Sequence, residues 1–258
     1  MSRYFMEIAY NGTAYHGWQY QPNAITVQQI IEDACSKLLR GKVDVVGAGR
    51  TDTGVHAAYF VVHFDTSVSS IDNASFVNKI NRILPRDIVV YSLNEVESNA
   101  HSRFDAISRT YEYRIILHKN PFTTEFVHRP KFKLDFKKMN EACNILFEFK
   151  DFTSFSKLHT DVKTNNCKIY QAEWLKRGEE WVFIIKADRF LRNMVRAIVG
   201  TLLDIGRGKM TIDEFRAVIL EKNRSSAGAS VPANALFLTD IEYPENIFKP
   251  QGRLPKAL

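Results

Sequence analysis

Cysteine is scarce: the 258 residues hold three, Cys35, Cys143 and Cys167, and none forms a C-x-x-C pair. That spacing argues against a zinc ribbon or a disulfide framework. Cys35 and Cys143 fall within helical patterns and read as small core hydrophobes of a reducing compartment. No apolar run approaches the roughly 20 residues that a membrane-spanning helix needs. The N-terminus goes straight into strand-like sequence, without a charged segment followed by an apolar one, so a cytoplasmic protein with no secretory signal is expected. No low-complexity segment or solenoid-type repeat is present. Gly47-x-Gly49 lacks the third glycine of a Rossmann phosphate loop, and the strand-like residues that follow leave no room for the helix such a loop needs. An RNP1-type aromatic segment is missing from both halves, which counts against an RNA-binding module built from RRM-like sheets.

What is present is ordinary for a globular protein: 45% apolar and 25% charged residues, enough chain for one large domain or two smaller ones. The formal net charge of +6 favours polyanionic partners through release of condensed counterions. His128, Arg129, Lys131, Lys133, Lys137 and Lys138 form one basic cluster, and Arg189, Arg192 and Arg196 another. The first is either a solvated face or an RNA-facing patch.

In chain order, residues 4–10 read as a strand and Asn11-Gly12 as a turn. Thr26 and Gln29 have capping-box spacing, so a helix should start there, with Gly41 closing it at C′. Residues 43–46 and 58–64 read as strands, residues 76–84 as a helix stopped by Pro85, and residues 88–96 as a fourth strand. The order β-α-β-β-α-β is a split βαβ arrangement. The second half repeats it without visible sequence identity: a strand at 110–117, a helix at 136–147, paired strands at 168–175 and 181–187 around Gly178, a strongly apolar helix at 190–205 ended by Gly206, a helix at 212–220 and a strand at 236–241. An α+β protein of two pseudo-repeated halves is expected, residues 1–104 and 105–244, with mixed or antiparallel sheets joined across a central cleft. Residues 245–258 read as a loose basic tail.

The chain is organised around residues 47–57, Gly-Ala-Gly-Arg-Thr-Asp-Thr-Gly-Val-His-Ala. Gly47, Ala48, Gly49 and Gly54 let the backbone bend sharply and approach a ligand. Within the bend lie a carboxylate, Asp52, and a cation, Arg50, whose proximity should keep the acid ionised, as a nucleophile or electrostatic anchor requires. The same residues also suit a plain β-turn with a solvated Asp. Arg196 sits on an otherwise apolar helix with Arg192 one turn earlier on the same face, and either snorkels to water or pairs with a buried carboxylate such as Asp52. Tyr111 is a core aromatic or a stacking platform. Asp52-Thr53-Gly54 is also the triplet of aspartic proteases. That chemistry needs two carboxylates sharing a proton, whereas the chain has one such triplet and Arg50 would favour an ionised Asp52.

Five separated blocks, in the right order, resemble the TruA-type tRNA pseudouridine synthase family. They are residues 49–57; Tyr10-Asn11-Gly12 with residues 15–19; residues 104–106 with 109–113; residues 151–155 with 190–200; and residues 231–238. The last departs from the family pattern, with Ala235 where a glycine is usual and Val231 where a smaller residue is. The resemblance implies the pseudouridine synthase fold and an isomerase acting on uridine in the anticodon stem-loop of tRNA, without a cofactor or metal. That suits a chain with neither ligand clusters nor phosphate loops. It implies that Asp52 is the essential catalytic carboxylate and that Arg196 pairs with it. Tyr111 would stack on the uracil and assist proton transfer at C5, Arg50 would hold the flipped nucleotide, and Leu236 would line the pocket. It further implies a homodimer in which one tRNA contacts both subunits, with residues 118–138 a place for tRNA or subunit contact.

Overall fold

The first strand is an interior strand of its sheet and is buried along nearly its whole length rather than on alternate residues. In the computed structural model, which describes residues 1–68, 70–157 and 164–249, β1 (Ser2–Tyr10) runs antiparallel to both β3 (His56–Thr66) and β4 (Ile88–Val96). Met6 thus sits opposite Val62 on one side and Leu93 on the other. The one charged residue in the buried part of this strand, Glu7, is only 2% exposed, and its carboxylate accepts hydrogen bonds from Tyr59 Oη (2.6 Å) and Ser92 Oγ (2.8 Å). Without those donors a buried carboxylate would cost several kcal/mol, on the order of an unpaired buried ion.

Two compact units divide the chain: Met1–Ile107 with Leu238–Leu258, and Ser108–Phe237. The first has the expected order, β1, α1 (Val27–Leu39), β2 (Val46–Gly47), β3, α2 (Asn73–Ile83) and β4, with β2 paired to β3. Thr26 caps α1 by accepting from Gln29 N–H, as its position suggested. The left-handed turn that ends α1 falls on Arg40 (φ 56°), not on Gly41. Of residues 43–46 only Val46 pairs in the sheet, although Val43 and Val45 are buried. Leu84 leaves α2 in an extended conformation, as the residue before a proline must.

The second unit holds β5 (Ser108–Ile116), α3 (Phe136–Ile145), β6 (Ile169–Arg177), β7 (Glu180–Ala187), α4 (Met194–Gly206) and α5 (Ile212–Glu221). β7 is central, antiparallel to β5 and β6, and the turn at Gly178 takes φ 58°. A reciprocal capping box lies at α5, between Thr211 and Glu214. Helix α4 starts at Met194, four residues later than its apolar pattern suggested, because Asn193 takes a left-handed conformation (φ 66°). Arg192 therefore precedes the helix rather than sharing a face with Arg196.

Two boundaries differ from the sequence reading. The last strand, β8 (Leu236–Glu242), is neighbour to β3, and from Leu238 onward it belongs to the first unit. Of the expected loose tail, residues 245–249 are docked. Ile247 is buried, Phe248 meets Phe5 edge-on at 6.2 Å, and Lys249 pairs with Glu95 at 2.7 Å. Two apolar contacts and one ion pair within five residues outweigh the basic composition that suggested a tail. Residues 250–258 lie outside the described part. No helix among the described residues is long and apolar enough to cross a membrane.

The first unit also carries a buried imidazole. His63 on β3 is 4% exposed, and Ser102 N–H donates to its Nδ1 at 3.2 Å. Burial, reinforced by the neighbouring His101, pushes His63 down from 6.5 to about 4. The folded protein thus keeps this ring neutral at pH values where the unfolded chain protonates it. Stability should be full above pH 6.5 and fall as the pH drops from 6.5 towards 4. The loss attributable to His63 should reach about 3 kcal/mol. Urea unfolding at pH 7 and pH 4.5 checks this: the acid-induced loss should be clearly smaller in His63→Gln than in the wild type.

Candidate active site

Residues 47–57 form a loop fastened from below by residues 10–18 of the same unit. Tyr10 Oη and Thr51 Oγ1 lie 2.9 Å apart, Trp18 N–H donates to Thr51 O at 3.2 Å, and Gly54 N–H donates to Tyr15 O at 3.4 Å. Gly12 N–H donates to His56 Nδ1 at 3.0 Å, so this buried imidazole is an acceptor that ties the end of the loop to the turn after β1. A Cβ at Gly12 would collide with the Val55 carbonyl oxygen, so only glycine lets the two backbones approach this closely. Tyr10, Trp18 and Phe60 form a ring cluster beneath, with Trp18 and Phe60 centroids 4.5 Å apart.

The loop's small residues therefore have different jobs from those their spacing suggested. Gly47 makes room for the Trp18 and Phe60 rings rather than for a ligand. Gly54 supplies the positive φ (76°) of the turn after Asp52, and Val55 N–H closes that turn on Asp52 O at 3.1 Å. Thr51 is buried, Asp52 half-buried and Thr53 exposed. The result is a carboxylate presented by a backbone anchored at Thr51, Gly54 and Val55. Holding a reacting group this way removes the freedom it would otherwise lose in the transition state.

Arg50 does not do what its position suggested. Its side chain is exposed and makes no ion pair with Asp52 among the described residues. The carboxylate is thus not held by its own loop's cation.

In the second unit, Tyr111 lies on β5 opposite Ile185 of β7. It is half-buried, whereas Tyr113, two residues on, is fully buried with its hydroxyl donating to Pro232 O at 3.1 Å. The Tyr111 ring meets Phe190 edge-on, with centroids 5.1 Å apart and planes at 87°. Asp188 stands two residues before Phe190. Its carboxylate accepts from Lys168 N–H and Arg189 N–H, both at 2.7 Å, while its carbonyl accepts from Arg109 at 2.9 Å. Neither Phe190 nor Asp188 was picked out as a site residue from the sequence. The signal was a lone aromatic and a lone acid at the end of a strand, and that pattern is too common to single out.

Arg196 is half-buried on α4, and its Nε donates to Val231 O at 2.8 Å, while Val231 N–H donates to Arg196 O at 3.2 Å. A guanidinium fixed through Nε has a defined direction, unlike a side chain snorkelling to water. Asn193 and Arg224 both bond Ser230 Oγ, at 2.6 and 2.9 Å, which holds residues 230–231 against the start of α4. Leu236, five residues further, is 5% exposed and opens β8. Tyr111, Arg196 and Leu236 thus all belong to the second unit, and Asp52 and Arg50 to the first. No group of three or more His, Cys, Asp or Glu side chains that could hold a metal ion occurs among the described residues.

Comparison with known proteins adds to this geometry. A family described as tRNA pseudouridine synthase matches residues 6–105 and 149–244, which takes in Asp52, Arg50, Arg196 and Leu236 and leaves Tyr111 between the two matches. The "tRNA pseudouridine synthase A" of Parabacteroides distasonis is 57% identical over 248 residues, covering 96% of this chain and 98% of that protein. The one of Bacteroides fragilis is 55% identical, covering 96% and 99%, and that of Exiguobacterium sibiricum 37% identical, covering 95% and 98%. An anchored loop bearing one carboxylate, with a match running through it and nearly the whole chain, makes this protein a member of the tRNA pseudouridine synthase family.

Proposed function

We propose that the protein converts uridine to pseudouridine in the anticodon stem-loop of tRNA, without a cofactor, and that Asp52 is the catalytic carboxylate. The observation that carries this reading is the 57% identity over 96% of the chain to a tRNA pseudouridine synthase A, with Asp52 presented on a loop anchored at Thr51, Gly54 and His56. The N1–C1′ bond of uridine breaks, uracil turns in place, C5 bonds to C1′, the C5 proton leaves and N1 gains one. Atoms and electrons balance without an external oxidant or reductant.

In this reading Asp52 acts at the ribose. It adds to C1′ as the uracil leaves, or it removes the C2′ proton to give a glycal. A deuterium at C2′ slows turnover only on the second route. Arg196 serves as the counter-ion of the reacting carboxylate, and its fixed Nε supports that role. Tyr111 stacks on the uracil and takes part in proton transfer at C5, its ring braced by Phe190. Arg50, exposed at the loop, holds the everted nucleotide, and Leu236 gives the base an apolar wall.

A uracil within an RNA helix cannot be reached in place, so it must be extruded at a cost of a few kcal/mol. Stacking on an aromatic ring can return about 1–3 kcal/mol of that. The excess of basic residues supports binding to the tRNA backbone and shape. A homodimer working in the cytoplasm completes the proposal, with residues 118–138 touching tRNA or the second subunit.

The test is direct. Unmodified tRNA incubated with the purified protein should acquire pseudouridine at anticodon-arm uridines, read by chemical mapping at single-nucleotide resolution. Tight tRNA binding without pseudouridine would leave a binding protein. Cleavage of peptides at acid pH would revive the protease reading.

A further inference from the structure

The turn that follows β4 carries an aromatic ring out to solvent on a rigid mount. Phe104 is 73% exposed, although the chain buries most of its other phenylalanines. Its ring lies on His101 (centroids 4.3 Å, 33°), His101 lies edge-on to His63 (4.6 Å, 65°), and His63 lies against Phe5 (6.2 Å), which is 1% exposed. A column of four rings thus runs from the core of the first unit to its surface. The turn itself is locked. His101 N–H donates to Asp105 Oδ2 at 2.7 Å, Asp105 N–H donates to His101 O at 3.1 Å, and Arg103 and Phe104 N–H both point at His101 Nδ1 (3.1 and 3.3 Å). The Arg103 guanidinium flanks the Phe104 ring at 5.6 Å. Phe122 is more exposed still, but no ring or cation is packed on it among the described residues. Burial holds both imidazoles below their ordinary pKa, so the stack under Phe104 is uncharged at neutral pH.

An exposed aromatic ring with a cation over it, carried on a turn already ordered by its own hydrogen bonds, suits one ligand chemistry above others: a flat π-system attached to an anion, which is a nucleotide of single-stranded RNA. We propose that Phe104 and Arg103 form a stacking platform for an unpaired nucleobase of the tRNA and its phosphate, remote from the reacting uridine. The proposal rests on the tRNA reading given above. The distance follows from β3. His56 ends the Asp52 loop and His63 lies seven residues along the same strand, on the order of 20 Å away. A contact that far from the chemistry binds the substrate equally in ground and transition states, so it should act on KM and leave kcat alone.

The experiment measures tRNA affinity and single-turnover pseudouridine formation for the wild type and for Phe104→Ala, Phe104→Leu, Phe104→Trp and Arg103→Gln. Phe104→Ala should weaken tRNA binding about tenfold, with a rate at saturating tRNA within about twofold of wild type. Phe104→Leu, which keeps apolar area but no π-face, should stay weak, and Phe104→Trp should restore binding. Arg103→Gln should reduce the salt dependence of binding by about one charge. Wild-type affinity in Phe104→Ala, or full affinity in Phe104→Leu, would overturn the platform. So would a loss of subunit association in Phe104→Ala with unchanged affinity per subunit, which would make the ring a protein contact. If the wild type binds tRNA through Phe104 but forms no pseudouridine, the functional reading fails and the platform stands. If pseudouridine forms and Phe104→Ala binds as the wild type does, the reverse holds.

Discussion

Asp52→Asn is expected to abolish pseudouridine formation, with a rate loss of about 10,000-fold or more, while tRNA affinity stays within about threefold of wild type. The substitution keeps the shape of the side chain and the anchored backbone on either side, since the hydrogen bonds of Thr51, Gly54 and Val55 run through backbone atoms and the Thr51 hydroxyl. What it removes is the negative charge and the lone pair that a nucleophile or a base must supply. Release of tritium from C5-labelled uridine in tRNA measures the reaction, and a filter-binding titration measures affinity. Turnover at the wild-type level would end Asp52's candidacy. A parallel fall in affinity and rate would mean that the carboxylate organises the RNA and not the reaction.

The second large effect is expected at Arg196. Removing the guanidinium in Arg196→Ala should cost about 100- to 1,000-fold in the single-turnover rate, the range for loss of a preorganised electrostatic contact at a reacting charge. Arg196→Lys should recover little of it. An ammonium cannot reproduce the Nε bond to Val231 O that directs the guanidinium, nor the planar fork that grips a carboxylate from two nitrogens. The control is thermal stability. Arg196 is half-buried and Val231 N–H still reaches the helix carbonyl of residue 196 in the variant, so Tm should fall by only a few degrees. Near-wild-type activity in Arg196→Ala would reduce the side chain to a strut for residues 230–231.

The two effects also discriminate between roles through their combination. If Arg196 acts by keeping the Asp52 carboxylate charged, the double variant Asp52→Asn/Arg196→Ala should be no slower than Asp52→Asn alone, because the charge to be held is already gone. Multiplying effects would assign the guanidinium an independent contact with the RNA.

Much of this architecture was legible one residue at a time. Thr26 and Pro85 mark the start of α1 and the stop after α2, because a side-chain cap and a missing N–H act locally. The bend at Asp52 could be read because a sharp turn between two apolar strands requires small residues wherever it occurs. The same local reasoning misplaced the start of α4. Apolar residues run back to Phe190, but the left-handed backbone at Asn193 stops the helix there, and hydrophobic pattern carries no information on φ.

What the sequence by itself determined is the set of local commitments: the order of strands and helices, one carboxylate in a glycine bend, a basic surplus, and enough separated blocks to resemble one family. Tertiary structure alone decided three things. Arg50 extends to solvent instead of meeting Asp52, Gly47 accommodates Trp18 and Phe60, and β8 leaves its sequence neighbours to join the first unit beside β3. Each is settled by packing between separate parts of the fold, and the energy of such packing belongs to the partners together. No single stretch of chain carries it, so no local pattern could announce it.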